Sequence, residues 1–430
     1  MAITGRAVAL AALGLVPVLL VPSYATVGTW VVLWLLVVAV DVALSASPRD
    51  VEVARGPIPA VRLTEAASST LTLVNDGRRR LRGVVRDAWQ PTAGATGNRH
   101  PLDVRPGEAR RVTTRLRPVR RGDLLADRVT IRAVGPLGVA GRQASRPLPG
   151  LLRVLPEFAS RRHLPSRLAR LREMDGRSAV NVRGPGTEFD SLREYVLGDD
   201  VRAIDWRATA RRQEMVVRTW RPERDRRVLV VLDTSRLSAA RLGDAPRLDA
   251  GIEAALLLTA LATRAGDRVE LVAVDQAVRA RVSGTHAATV MSTMAASLAP
   301  VHPRLVEPSW PLVAQLVRDR LSQRALVVLV TAVESSAIDS GLVQVVAALA
   351  ADHQVVVASA TDPENARLRA ARATSADLFD AAAAERADLE RRGVAVELRR
   401  VGAEVVERLP ADLAPALADT YLALKAAGRL

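Results

Sequence analysis

The sequence predicts a multi-domain chain with two apolar helices that cross a membrane, a small β-sandwich and an α/β domain with a mostly parallel sheet. Three patterns predict it. Two apolar segments open the chain, residues 51–155 alternate with a period of two, and beyond residue 227 short apolar runs alternate with helical segments. A chain of 430 residues has room for two or three domains that each bury a core. We divide it into residues 1–47, 48–158, 159–226 and 227–430.

The first domain is predicted from the two apolar segments, residues 7–21 and 27–44. The second approaches the ~20 residues that a spanning helix needs. Arg6 precedes the pair, Arg49 and Arg55 follow it, and no charge lies between the segments. The excess of positive charge on cytoplasmic ends therefore predicts two crossings of the cell membrane, with both ends in the cytoplasm.

A cleaved signal peptide is the alternative for the first apolar segment, with Ser23-Tyr24-Ala25 as its processing site. The second segment would then cross back alone. Both interpretations place residues 48–430 in the cytoplasm, and both make membrane lipid around residues 7–44 an expected partner.

The β-sandwich is predicted from strands and turn signals between residues 51 and 155. The run SSTLTLVNDGRRRLRGVVRDAW is typical of a hairpin around Asp76-Gly77. The run RRVTTRLRPVRRGDLLADRVTIRAVG adds two strands around Arg121-Gly122. Short strands at this spacing are typical of a sandwich, and nothing in them indicates chemistry.

The α/β domain is predicted from VLVVLD, DRVELVAVD, RALVVLVTAVE, HQVVVASA and VAVELRR, which have the pattern of strands separated by helical segments. Such alternation predicts βαβ units with helices on both faces of the sheet. Ligands of these sheets bind at the carboxyl ends of the strands. The polar residues at those ends are Asp233-Thr234-Ser235, Asp275, Thr331 and Thr361-Asp362.

Between these domains, the stretch RGPGTEFDSLREYVLGDDVRAIDWRATARR combines dense opposite charges with aromatic residues. Its charges can form ion-pair networks. The alternative interpretation is a solvated connector, but aromatic residues are rare in such connectors. We predict a short helix around Ser191–Val196 and a structured element that packs against the α/β domain, with Trp206 in the interface.

This stretch, followed by a strand that ends in LDTS, resembles the bacterial domain-of-unknown-function-58 family. The upstream runs PVRRGDLLADRVTIRAVGPLGV and LLRVLPEF also resemble that family, as does the apolar hairpin, so the resemblance covers essentially the whole chain. It implies a membrane-anchored protein with a von Willebrand factor A-like C-terminal domain. The signature residues, which are also the candidate partner-binding residues, are Gly186, Glu188, Phe189, Arg193, Tyr195, Asp199, Asp200, Arg202, Asp205, Trp206 and Arg211.

The resemblance also implies a metal site, because von Willebrand A domains bind a divalent ion through Asp-x-Ser-x-Ser, a loop Thr and a later Asp. Asp233 and Ser235 match the first two positions, but Leu237 replaces the second Ser and Ala332 the later Asp. The loop region RLVEPSWPLV contains no Thr. We therefore expect a degenerate site without a cofactor, and a divalent cation such as magnesium is the alternative.

Composition restricts the chemistry further. The sequence has no cysteine, five scattered histidines without an HExxH motif, and Lys425 as its only lysine. A haloacid dehalogenase-like phosphatase needs a second Asp two residues after Asp233 and a Lys, and residue 235 is Ser. The net charge of +15 is almost wholly arginine, without runs of basic residues interleaved with aromatics, so we expect no nucleic-acid binding.

The leading functional hypothesis is a protein-interaction scaffold and not an enzyme. Members of the resembled family are often encoded beside MoxR-type AAA+ ATPases and transglutaminase-like proteins. The resemblance thus implies a MoxR-type ATPase as partner, in the assembly or maturation of protein complexes. The alternatives are a structural envelope or secretion-associated membrane protein without an ATPase partner, and a metal-dependent hydrolase.

Overall fold

The chain folds as two compact units, Met1–Glu157 and Phe158–Leu430. The computed structural model describes residues 1–181, 188–196, 199–221, 226–284 and 287–430.

The first unit begins with three apolar helices, α1 (Gly5–Leu13), α2 (Leu15–Leu20) and α3 (Tyr24–Leu44). Among the described residues, the helix that starts at Tyr24 is the one long and apolar enough to cross a membrane, while Gly5–Leu20 is a shorter apolar stretch. The Ser23 hydroxyl caps α3 by accepting from the Thr26 N–H at 3.2 Å. The described part of the chain therefore contains one helix of spanning length where the sequence predicts two crossings.

The rest of the first unit is built from strands in two sheets, as the period-two pattern predicts, and the strands are antiparallel except for one short parallel pair. One sheet has the order β1-β10-β9-β5-β7, with β3 beside β10, and the other has the order β2-β4-β8-β6. Residues of both sheets share one core, which includes Leu71, Val85 and Ile131. The strands are β1 (Ala2–Ile3), β2 (Val51–Arg55), β3 (Val61–Arg62), β4 (Ala67–Asn75), β5 (Leu81–Trp89), β6 (Ala95–Thr96), β7 (Arg99–Val104), β8 (Ala109–Leu116), β9 (Gly122–Val134) and β10 (Ala140–Leu155).

The hairpin predicted around Asp76-Gly77 is wrong, because β4 and β5 belong to different sheets. Asn75 at the end of β4 donates from its side chain to the carbonyls of Arg79 and Val104, at 2.9 and 3.1 Å. The Asp76 N–H donates to the Asp50 carbonyl at 3.0 Å. These bonds turn the chain across the sandwich instead of back along the same sheet.

The second unit contains a parallel sheet with the order β17-β16-β13-β18-β19-β20, in which β17 is antiparallel to β16. One face packs on α6, α7 and α13, and the other on α8, α10 and α12, which confirms the predicted α/β class. The strands are β11 (Glu188–Glu194), β12 (Val216–Arg221), β13 (Arg227–Asp233), β14 (Arg241–Leu242), β15 (Ala245–Pro246), β16 (Arg268–Val274), β17 (Val278–Gly284), β18 (Leu326–Val330), β19 (Gln354–Ala360) and β20 (Glu404–Arg408).

The helices of the second unit agree with the predicted alternation except around VAVELRR, which continues a helix through Arg400 instead of forming a strand. Val394, Ala395 and Leu398 are buried on one helical face, so the period of 3.6 prevails over the alternation. The helices are α4 (Leu164–Asn181), α5 (Trp206–Arg212), α6 (Arg247–Arg264), α7 (Ala287–Leu298), α8 (Trp310–Arg320), α9 (Ser335–Asp339), α10 (Leu342–Asp352), α11 (Pro363–Ala370), α12 (Ser375–Arg400) and α13 (Pro410–Ala426).

Candidate functional site

The parallel register brings three predicted strand-end residues together at the carboxyl edge of the sheet. Asp233 ends β13 and is aligned with Val274 at the end of β16, directly before Asp275. On the other side of β13, Leu232 is aligned with Val330 at the end of β18, directly before Thr331. The edge is therefore lined by two carboxylates and the hydroxyl of Thr331.

Asp233 is almost completely buried, and both of its carboxylate oxygens have partners in the protein. Oδ1 accepts from the Ser235 N–H at 2.8 Å, and Oδ2 accepts from the Thr331 hydroxyl at 2.6 Å. Burial raises the pKa of Asp233, the charge of Asp275 raises it further, and the hydrogen bonds from Thr331 and Ser235 act in the opposite direction.

Asp275, the second buried carboxylate, is also held by its own chain. It accepts from the Thr234 hydroxyl at 3.3 Å and from the Ala277 N–H at 3.1 Å. Two arginines lie near it, with the nearest nitrogen of Arg279 at 3.8 Å and of Arg304 at 4.0 Å. These neighbours compensate its charge without a bound ion.

Hydrophobic core residues stand at the two positions where the von Willebrand A pattern has a second Ser and a later Asp as metal ligands. Leu237 is 5% exposed, Ala332 is fully buried, and both pack in the cluster on one face of the sheet. The Ser235 hydroxyl accepts from the Leu237 N–H at 3.3 Å. In the part of the chain that the structure describes, no three His, Cys, Asp or Glu side chains form a group that could hold a metal. These donors do not fit a hard divalent cation, which prefers six or more oxygens.

A buried arginine that is not among the predicted site residues lies beside this edge and binds its backbone carbonyls. Arg247, at the start of α6, donates to the Leu237 carbonyl at 2.7 Å and to the Ala360 carbonyl at 3.2 Å. Its remaining nitrogen binds Glu334, the acid that follows Ala332 by two residues. Glu334 therefore neutralises an arginine and is not available as a substitute ligand at Asp233.

The loop before α8 covers the edge and presents an apolar side chain to solvent. Its backbone is fixed by the bond from the Arg304 N–H to the Thr234 carbonyl at 2.8 Å and from the Arg236 N–H to the Val306 carbonyl at 2.9 Å. Arg236 also forms an ion pair with Glu307 at 2.8 Å. Between these fixed points, Leu305 is 85% exposed.

The described signature residues form a separate small module of β11, β12 and α5, and the predicted helix around Ser191–Val196 is wrong because Glu188–Glu194 is strand β11. Arg193 binds both carboxylate oxygens of Asp199, at 2.8 and 2.6 Å. The same carboxylate accepts from the Val196 N–H at 2.9 Å. These bonds therefore hold the Asp199 carboxylate close to the carboxyl end of β11.

Two more signature acids cap helical turns. Asp200 accepts from the Arg202 N–H at 2.9 Å. Asp205 caps α5 by accepting from the Arg207 and Ala208 N–H groups, both at 3.0 Å, and binds Arg218 of β12 at 2.8 Å. The Ala208 N–H and then Arg218 lower the pKa of Asp205, so its ionised form is favoured. The acids of the signature thus stabilise the local fold.

The remaining signature residues are placed differently from the prediction. Trp206 is 68% exposed, so its predicted position in a packed interface is wrong: as the first residue of α5 it is directed to solvent. Tyr195 is half-buried, and its N–H donates to the Met215 carbonyl at 2.8 Å. Arg202 and Arg211 are exposed, Glu188 and Phe189 lie in β11, and Gly186 lies outside the described residues. In the wider segment, α4 does pack on the α/β core, through Leu164 and Leu171.

Fold and edge together define an α/β protein with an apolar N-terminal helix and a carboxyl edge whose acids bond to their own chain. Residues 191–404 match the family described as "Protein of unknown function DUF58", which confirms the family resemblance.

Curated relatives share part of the sequence. Uncharacterized proteins of Mycobacterium tuberculosis and Mycobacterium bovis are 27% identical over 191 residues, which are 44% of this chain and 59% of theirs. The matched region thus spans about three fifths of the length of these relatives.

Solved structures with similar parts include the SpRpn10 VWA domain, with 12% identity, a TM-score of 0.27, and coverage of 46% of this chain and 94% of that one. An aerotolerance-related membrane protein from Bacteroides fragilis has 11% identity, a TM-score of 0.28, and coverage of 45% and 99%. A PapD-like domain of human CEP192 has 14% identity, a TM-score of 0.18, and coverage of 24% and 84%.

Proposed function

We propose that this chain is a membrane-anchored scaffold that binds other proteins and works with a cytoplasmic MoxR-type AAA+ ATPase in the assembly or maturation of protein complexes. The observation that carries the scaffold role is the carboxyl edge. Its acids, Asp233 and Asp275, are occupied by bonds within the chain, while Leu305 above them is 85% exposed. A fixed loop with an exposed apolar tip suits protein docking better than catalysis.

The membrane topology of this proposal is a helical hairpin with both ends in the cytoplasm. The Thr4 hydroxyl donates to the Gly138 carbonyl at 2.7 Å. Near the other end of the apolar segment, the Asp41 carboxylate accepts from the N–H groups of Leu137, Val139 and Ala140 at 2.7–2.8 Å. Both ends therefore meet at one turn of the sandwich, as expected if the chain leaves and re-enters on the same side.

Reporter fusions test this topology. A reporter fused after Leu430 should have cytoplasmic activity, and one inserted at Pro22, between α2 and α3, should be active on the opposite side of the membrane. A fusion after Leu430 that is active outside the cytoplasm would exclude the proposed orientation. Cytoplasmic activity at both positions would exclude the hairpin.

The ATPase partnership rests on the family resemblance and is tested by co-purification. Full-length protein in detergent should retain a MoxR-type ATPase from the same cells, and Leu305→Asp should abolish retention by placing a charge at the docking tip. Val119→Asp, at a 67% exposed position of the first unit, is the matched control and should retain it.

Retention by both variants would exclude the carboxyl edge as the docking surface. No retention by the unmodified protein, with intact folding, would favour the alternative of a structural envelope or secretion-associated protein without an ATPase. A metal-dependent hydrolase is not proposed, because the donors around Asp233 do not fit a metal.

A further inference from the structure

An exposed apolar stripe runs along α12, the 26-residue helix Ser375–Arg400. Leu378 is 53% exposed, and Leu389 and Val396 are each 58% exposed. Ala382 and Gly393, also exposed, lie between them at spacings of three, four or seven residues, which keep all five on one helical face. The opposite face is buried through Ala384, Val394 and Leu398, among others.

The stripe has the composition of a helix–helix contact. Small residues let two helix backbones approach, and larger apolar residues fill the spaces beside them. Apart from its two chain neighbours and the nearby backbone of α12 itself, no atom lies within 4 Å of the position that a Cβ on Gly393 would occupy, so a neighbouring side chain has room there. Removal of the apolar surface of Leu378, Leu389 and Val396 from water would favour association.

We propose that this stripe binds the α12 of a second copy of the chain, in an antiparallel pair whose two-fold axis passes between residues 385 and 386. The stripe complements itself about that point. Leu389 and Ala382 are equally distant from it in sequence, as are Leu378 and Gly393. Leu389 and Leu378 of one copy therefore face Ala382 and Gly393 of the other, and both contacts are reciprocal, as an isologous interface requires.

The charges at the centre support the same alignment. The axis places Glu385 of each copy beside Arg386 of the other, and this produces two ion pairs of opposite charges. Within one chain Glu385 binds Arg369 and Arg386 binds Glu390, but 46% of the Glu385 and 83% of the Arg386 side chain are exposed and can accept a second partner. A parallel pair would instead place Glu385 beside Glu385, which is repulsive.

Cross-linking tests the pair, and the absence of native cysteine removes background. Two variants, Ala382→Cys and Leu389→Cys, are reconstituted as full chains in vesicles, separately and mixed. In the proposed pair, residue 382 of one copy faces residue 389 of the other. Two copies of the same residue are instead offset by about 10 Å along the helix axis of α12. A disulfide needs Cα atoms within about 7 Å, so identical residues cannot be linked.

The mixture should therefore form a disulfide-linked dimer on mild oxidation, and each variant alone should stay at the background level. Ala348→Cys on the exposed side of α10 sets that background. Efficient linking of each variant to itself would overturn the antiparallel arrangement. The absence of linked dimer in the mixture would overturn the contact.

Gly393→Leu provides a second measurement that does not depend on disulfide geometry. In one chain the added side chain enters open space and replaces a poor helix former, so the melting temperature should not fall. In the pair it collides with Leu378 of the other copy, so the protein should sediment as a monomer. Unchanged dimer mass for this variant would contradict the proposal.

The charge prediction is tested by Glu385→Arg, which should weaken the dimer at least tenfold in Kd. The double variant Glu385→Arg/Arg386→Glu restores opposite charges across the axis and should recover most of the affinity. If both variants weaken the dimer equally, the proposed alignment is wrong.

Discussion

The hydroxyl of Thr331 donates a 2.6 Å hydrogen bond to Oδ2 of Asp233, across two neighbouring parallel strands. With the Ser235 N–H on Oδ1, the carboxylate has a protein donor on each oxygen. An acid satisfied in this way has little to gain from a cation, and the next residue after Thr331 is the fully buried Ala332 instead of an acid.

Magnesium is therefore expected to leave the protein unchanged. At millimolar concentration it should alter the melting temperature of the full-length protein by less than about 1 °C, because an ion stabilises only through preferential binding to the native state. Differential scanning fluorimetry with and without chelator measures this. A clear rise that Asp233→Ala abolishes would show that the site binds metal.

Restoring the missing ligands gives the converse prediction. Leu237→Ser and Ala332→Asp together place a hydroxyl and a charge in the core, so the double variant should be less stable than the parent by roughly 3 kcal/mol or more without an ion. Magnesium should recover part of that loss. Equal unfolding free energies with and without magnesium would mean that more than these two ligands are missing.

The free energy of unfolding should depend on pH in part through Asp233. Its pKa is raised in the folded protein, chiefly by burial. Between the unfolded and folded pKa values the native state binds more protons, so the contribution of Asp233 to stability is largest at low pH and is lost as pH rises through the folded pKa. The unfolding free energy of the parent minus that of Asp233→Asn should thus decrease from about pH 4 upward. An increase over that window would contradict the raised pKa.

Asp41 should be essential for attaching α3 to the sandwich. Asp41→Ala removes the acceptor of three backbone N–H groups, of Leu137, Val139 and Ala140, and should destabilise the first unit by about 3 kcal/mol. Thermal unfolding and limited proteolysis of the full chain in detergent measure the loss. Asp76→Ala, at an exposed acid of the same unit, should change stability by less than about 0.5 kcal/mol. Equal effects of the two variants would refute the role of Asp41.

Trp206 should contribute little to folding. Because 68% of it is exposed, Trp206→Ala should change the free energy of unfolding by less than about 1 kcal/mol. Trp310→Ala provides the comparison, since Trp310 is 2% exposed and its loss should cost about 3–5 kcal/mol. Similar losses for the two tryptophans in denaturant titrations would mean that the signature module packs more tightly than its exposure indicates.

Local patterns were sufficient where one element decides its own structure. The apolar run from residue 27 to 44 predicts α3, and the VLVVLD run predicts β13 with Asp233 at its carboxyl end. The loss of the second Ser to Leu237 is also visible in the sequence. These features depend on hydrophobic periodicity and residue identity, which do not require knowledge of distant contacts.

Where the same pattern fits two structures, the sequence alone does not decide between them. VAVELRR alternates like a strand, but its apolar residues also lie on one helical face, and packing against the sheet selects the helix. The Asp76-Gly77 turn is typical of a hairpin, but the bonds of Asn75 direct the chain into the other sheet. Short periodic runs cannot distinguish these outcomes.

By itself, the sequence thus determined the long apolar N-terminal helix, the class of each domain and the identity of the residues at the strand ends. Only the tertiary structure decided what those residues bind. Thr331 reaches Asp233 across 98 positions of sequence, and Val139 reaches Asp41 across another 98. Trp206, which its residue type alone would place in an interface, stays in solvent. The reason is physical: hydrogen bonding and burial depend on distances between segments far apart in the chain, which local propensity does not contain.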